Sequence, residues 1–178
     1  MYDFRNVIGS PNKKASIRLI VSLTRVLCAF LAAVASAHAE DAPPRRQVWL
    51  NPGFISWHFD RTQDYNENNW GVGVEVVFAP DHAVMAGTFK NSDREQSRYA
   101  AYQWRPLHWQ PHGINVSAGI ALGAFDGYPK NNDGGWFVAP LPVLAIEGER
   151  FGVNFGIVPT IQDKVHGAVI LQLKLRVW

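Results

Sequence analysis

Cysteine is almost missing from this sequence: of 178 residues only Cys28 carries a thiol, and none follows it. Disulfide stapling is therefore excluded downstream of residue 28, and that part of the chain must hold together by backbone ladders and burial. An excess of charge is missing too. Residues 40–178 carry 12 Lys and Arg against 14 Asp and Glu, a net of −2, so the basic balance of the whole chain belongs to its first 39 residues. Such a balance gives no basic face for nucleic acid. Also absent is an apolar run of the about 20 residues that a membrane-spanning helix needs. The run that comes nearest, VLCAFLAAVASA over 26–37, follows Arg5, Lys13, Lys14, Arg18 and Arg25 and closes on Ala37-His38-Ala39. A basic start, a short apolar stretch and an A-x-A ending are the layout of a secretory signal peptide, here 1–39 with cleavage after Ala39. Leu27, ahead of Cys28, is too large for a lipoprotein site.

Sustained helical periodicity is the last absence. After a polar, proline-containing lead-in over 40–52, the segments alternate with period two, the mark of strands with two unlike faces. Ile114, Val116, Ala118, Ile120 and Leu122 alternate with Asn115, Ser117, Gly119, Ala121 and Gly123. Val72, Val74, Val76 and Phe78 alternate with Gly71, Gly73 and Glu75, and Leu171, Leu173, Leu175 and Val177 with Gln172, Lys174 and Arg176. Strands are expected near 53–60, 70–78, 83–90, 97–105, 113–123, 135–146, 150–158 and 166–177, an all-β domain over 53–178. The connections alternate between compact and longer, more polar ones. A soluble lipocalin-type barrel would bury the large residues. A transmembrane barrel of the outer-membrane type turns them toward lipid and keeps small or polar residues in the lumen. The second fits better. The small face is rich in Gly, Ser and Asn, and Trp57, Trp70, Trp104, Trp109, Trp136 and Trp178 gather near strand ends, as interfacial girdles do. Trp178 falls out of phase with Val177 and Leu175, so it either points inward or overhangs the last strand.

With the amino terminus in the periplasm, the first strand runs outward. Ser56, His58 and Asp60 then share its inner face, opposite Ile55, Trp57 and Phe59. The loop after the third strand holds Asn91, Ser92 and Asp93 at the same outer rim. A serine beside a histidine is the material of an activated nucleophile or of a general base serving another hydroxyl. It is equally the material of an ordinary polar loop above a lumen filler, and spacing does not separate the two. His108 and His112 in HWQPH are four apart, but Pro111 argues against a helix that would align them on a metal, so the segment reads as a turn. His82 and His166 stand alone at turns or strand ends. The residues imply no cofactor and no metal.

Three stretches, ISWHFDRTQDYNENNWGVGVEV, GTFKNSDREQSRYAAYQWRP and APLPVLAIEGERFGVNFGIVPT, together resemble the lipid A palmitoyltransferases of Gram-negative outer membranes, the PagP family. The shared features run in order from about Phe54 to Val177. They are a Trp-His pair on the first strand, Tyr-Asn-Glu before Trp-Gly, a Phe-Lys-x-Ser loop, Trp-Arg-Pro ending the fourth strand, and Pro-Leu-Pro-Val-Leu on the sixth. The resemblance implies an eight-stranded antiparallel transmembrane barrel with an acyl-binding lumen, and a monomer is the default for such a closed barrel. It implies an outer-membrane acyltransferase that moves a fatty acyl chain, palmitate or shorter, from a phospholipid to lipid A. The family's essential histidine falls on His58 and its serine on Ser92, while Asn91 stands where the family has aspartate. If the family's arrangement holds, Asn91→Asp should raise activity. The family's pocket-floor glycine falls on Gln103, so a shorter acyl chain is expected. Pro140, Pro142 and Pro159 match, in outline, the prolines linked to lateral access, and an amphipathic helix before the barrel has no room in 40–50. Two rivals share the scaffold: a barrel that binds lipid or is purely structural, and a lipid-ester hydrolase using water.

Overall fold

The computed structural model describes residues 46–160 and 166–178. The signal peptide falls outside them, as do residues 40–45 of the stretch too short for a helix. Eight strands are formed among the described residues: β1 (Gln47–His58), β2 (Asn68–Ala79), β3 (His82–Lys90), β4 (Gln96–Trp109), β5 (Asn115–Phe125), β6 (Phe137–Glu147), β7 (Phe151–Val158) and β8 (Ala168–Arg176). Each pairs antiparallel with the next, and β1 closes on β8, so the sheet is a complete barrel. One end carries the longer connections, 59–67, 91–95, 126–136 and 159–167, and is called the rim here. The other carries 80–81, 110–114 and 148–150.

Alternation decides which residues face where. Trp70, Val72, Val74, Ile120, Leu122 and Leu173 are exposed on the outer wall. Between them Asn69, Glu75, Ser117, Gln172 and Lys174 are buried inside. The barrel is thus apolar outside, with buried polar and charged residues within, the inverse of a soluble β-barrel. Trp178 is exposed just past β8, so it overhangs the strand rather than turning inward.

The first strand starts earlier than the alternation predicted, at Gln47 instead of near 53. The lead-in was unreadable as a strand because its phase is broken. Trp49 and Asn51 are buried, as are Ser56 and His58, so inward positions change from odd to even across Pro52-Gly53. The register of β1 shifts there against β2 and β8 alike. Gly53 takes φ +100, a left-handed conformation open to glycine, and a Cβ there would meet the Asn69 carbonyl oxygen at 2.2 Å.

Below the middle, the lumen is filled by charge in balance. Lys174 Nζ donates to Glu75 Oε1 at 2.7 Å and to Glu147 Oε1 at 2.6 Å, and Arg105 Nη1 to Glu147 Oε1 at 3.1 Å. Lys174 and Arg176 lie over the Trp49 ring at 4.8 and 4.7 Å. All four ions are buried and two of each sign face one another, so none is left uncompensated. This plug closes the end away from the rim. Above it Tyr99 crosses the lumen to Asn51 Oδ1 at 3.3 Å, over Gly73, where a Cβ would stand 2.1 Å from the Tyr99 hydroxyl.

Candidate functional site

Above the plug the lumen opens into a cavity of about 330 Å³. Its walls are mainly apolar: Phe54, Phe89, Tyr99 and Phe125 pack edge-on or stacked with centroids 5.1 to 6.5 Å apart, joined by Ala121, Leu141 and Val143. Gln103 lines its lower part, 1% exposed, with Nε2 donating to Met85 Sδ at 2.9 Å. Gln103 Oε1, Asn154 Oδ1 and Gln172 Nε2 are buried there without hydrogen-bond partners among the described residues. The floor is polar, against apolar walls.

The cavity also reaches the wall between β6 and β7. These strands pair only from Val143↔Gly156 to Glu147↔Gly152, so the rimward part of β6 pairs with β5 alone. Pro140 and Pro142 have no amide hydrogen to offer a further ladder, and Pro159 follows β7 at once. Val138, Pro140 and Pro142 are exposed outside yet also border the cavity. The seam therefore joins the lumen to the apolar outer face.

The rim brings His58 and Ser92 to one cavity. His58, the last residue of β1, is 5% exposed, and its ring stacks on Tyr65 with centroids 4.4 Å apart. Its backbone N–H donates to Glu67 Oε1 at 3.2 Å, and the same oxygen lies 3.8 Å from the ring Nδ1. Arg61 donates to that carboxylate and covers the Trp57 ring at 4.5 Å. The Arg61 hydrogen bond holds the Glu67 carboxyl below its usual range, against a smaller opposing effect of burial, so Glu67 is an anion at neutral pH. Behind Tyr65 stands His166, centroids 5.3 Å apart, with its Nδ1 3.9 Å from Asp60 Oδ2. Hydrogen bonds from the Thr62 hydroxyl and amide hold Asp60 below its usual range. Burial, and then the charges of Asp60 and Asp93, push the Tyr65 hydroxyl up.

Ser92 is set by clamps between loops. Its carbonyl accepts the Asn66 N–H at 2.9 Å, and the Asn66 side chain donates to the Asn91 carbonyl at 3.0 Å. Arg94 reaches the Asp64 carbonyl at 2.7 Å and its carboxylate at 3.0 Å. The loop that follows His58 is thereby fastened to the loop that carries Ser92.

Asn91 is not at the cavity. It is fully buried with both ends of its amide engaged. Nδ2 donates to Ser97 Oγ at 2.9 Å and to the Gly127 carbonyl at 2.7 Å, while Oδ1 accepts from the Asp93 and Glu95 amides at 2.9 and 3.0 Å. It staples the hairpin tip to the loop after β5. Asp93 lines the cavity beside Ser92. Two further histidines lie at the far end: His108 Nε2 contacts Asp81 Oδ1 at 2.8 Å, and His82 Nδ1 the Tyr102 hydroxyl at 2.7 Å. Sequence reading gave no role to Glu67 or Tyr65. The only trace of them was the Tyr-Asn-Glu segment, quoted for its resemblance and not for its chemistry.

Fold and site define a closed eight-stranded barrel, apolar outside, with an apolar chamber under a histidine–serine rim. Comparison with protein-family models and with curated proteins finds no match for the chain.

Proposed function

We propose that this protein is an outer-membrane acyltransferase that moves a fatty acyl chain from a phospholipid to lipid A. The observation that carries the reading is an apolar chamber with His58 and Ser92 at its mouth and a seam toward the outer face. An apolar exterior with Trp57, Trp70, Trp104 and Trp136 exposed suits a bilayer, and an acyl chain suits a chamber of this shape and lining. The resemblance to the lipid A palmitoyltransferases supplies donor and acceptor. In the reaction the acceptor hydroxyl attacks the ester carbonyl of the donor and passes its proton to His58. The ester C–O bond breaks, and His58 returns the proton to the departing glycerol oxygen. The Ser92 hydroxyl serves either as a donor to the oxyanion or as a first acyl acceptor.

The test is mass spectrometry of lipid A from cells with and without the protein. One added acyl group is expected, and it should vanish in His58→Ala and in Ser92→Ala. Unchanged lipid A would leave a barrel without this chemistry. A lost acyl group or released fatty acid would mark a hydrolase.

A further inference from the structure

His58 Nδ1 is buried without a hydrogen-bond partner among the described residues, although an anion faces it. We infer that Glu67 is the positioning residue of His58: its carboxylate fixes the tautomer with the proton on Nδ1, leaving Nε2 as the base. The inference deepens the acyltransferase reading and rests on it for its consequence in catalysis.

Three observations meet at this point. First, Glu67 Oε1 already accepts the His58 backbone amide at 3.2 Å and stands 3.8 Å from Nδ1, so a small turn of either side chain closes the bond. Hydrogen bonds of a proton-transfer site are often long before substrate binds. Second, Glu67 is held in place and ionised by Arg61. Third, the other groups facing the imidazole are unsuited to Nδ1. Tyr65 stacks on the ring face, His166 lies behind Tyr65, and Asp60 is taken up by Thr62 at 2.9 and 2.6 Å. Asn91, at the position where a carboxylate was expected, has its amide fully used elsewhere. A carboxylate on one ring nitrogen orients the imidazole and stabilises its protonated form, the arrangement known from serine hydrolases. Here the anion comes from the loop before β2, not from the loop that carries Ser92.

The test is ¹⁵N NMR of the His58 ring in the full barrel in detergent micelles, with acyl-transfer kinetics in parallel. Glu67 and Tyr65 face the ring, with Arg61 on Glu67 and His166 and Asp60 beyond Tyr65, and only Glu67 is changed. In wild type the neutral ring should carry its proton on Nδ1. In Glu67→Gln that preference should weaken and the titration midpoint fall. The kcat should drop by roughly 10- to 100-fold with little change in KM, and its acid limb should move to lower pH. Glu67→Asp should restore part of both. A wild-type ring protonated on Nε2 overturns the inference without any variant, so a misfolded Glu67→Gln does not shelter it. Full acyl transfer by His58→Ala would overturn His58 as the base, and lipid A left unchanged by the wild-type protein would overturn the acyltransferase reading, with the tautomer decided by NMR in either case.

Discussion

Asn91 shows how a single residue can look like a lost catalyst and be a fastener. Its amide donates to Ser97 Oγ and the Gly127 carbonyl and accepts from two amides, a pattern that a carboxylate cannot copy because it has no N–H. Asn91→Asp would set a buried anion against a carbonyl oxygen. The expected outcome is the reverse of the one the resemblance suggests: a loss of about 1–3 kcal/mol and no gain in acyl transfer. Urea unfolding at constant slope would show it as a lower midpoint. Higher activity at undiminished stability would instead put the carboxylate back into the chemistry. Asp126, in the loop that Asn91 grips, is a carboxylate where one is needed. Burial opposes its ionisation, but the Arg98 backbone and side chain donate to it at 2.6 and 2.7 Å and hold it below its usual value.

Among the elements, β4 sets the depth of the chamber and β6 its side. Gln103 lines the lower part of the chamber with an amide whose oxygen has no hydrogen-bond partner among the described residues. A chain long enough to reach it would leave that oxygen against methylene groups, which costs free energy. Gln103→Gly should therefore lengthen the acyl group transferred, read as a higher mass increment on lipid A. An unchanged increment would place the floor elsewhere. Legibility also differed by element. The alternation in β2, β5 and β8 is unbroken, so inner and outer residues could be assigned from the sequence alone. In β1 the phase change at Pro52-Gly53 hid the first half of the strand. The seam beside β6 was visible only as prolines, because pairing between strands is not written in either strand by itself.

For the whole molecule, the inside-out distribution of side chains makes a prediction independent of any chemistry. Trp70 is 68% exposed on the outer wall, whereas Trp49 is fully buried beside Lys174. In vesicles containing brominated lipid, a variant keeping only Trp70 should be strongly quenched and one keeping only Trp49 hardly at all. Equal quenching would contradict a bilayer around this wall. At this scale the candidate site was half legible. Strand count and direction put His58 and Ser92 at one end, since both follow from topology. Glu67 escaped because its role depends on how a nine-residue connection, 59–67, folds back on the strand it leaves.

The irregularity at Gly53 bears on how this barrel can change. Side chains along a strand behave like letters read in a frame of two, and Pro52-Gly53 is the frameshift that lets one strand show Trp49 to the plug and His58 to the chamber. Substitutions elsewhere in β1 alter one letter. The gain or loss of a residue at this point would swap every letter beyond it, turning His58 toward the outer face and Trp57 into the lumen. The place of His58 at the rim thus hangs less on which residues flank it than on an odd count maintained several residues away.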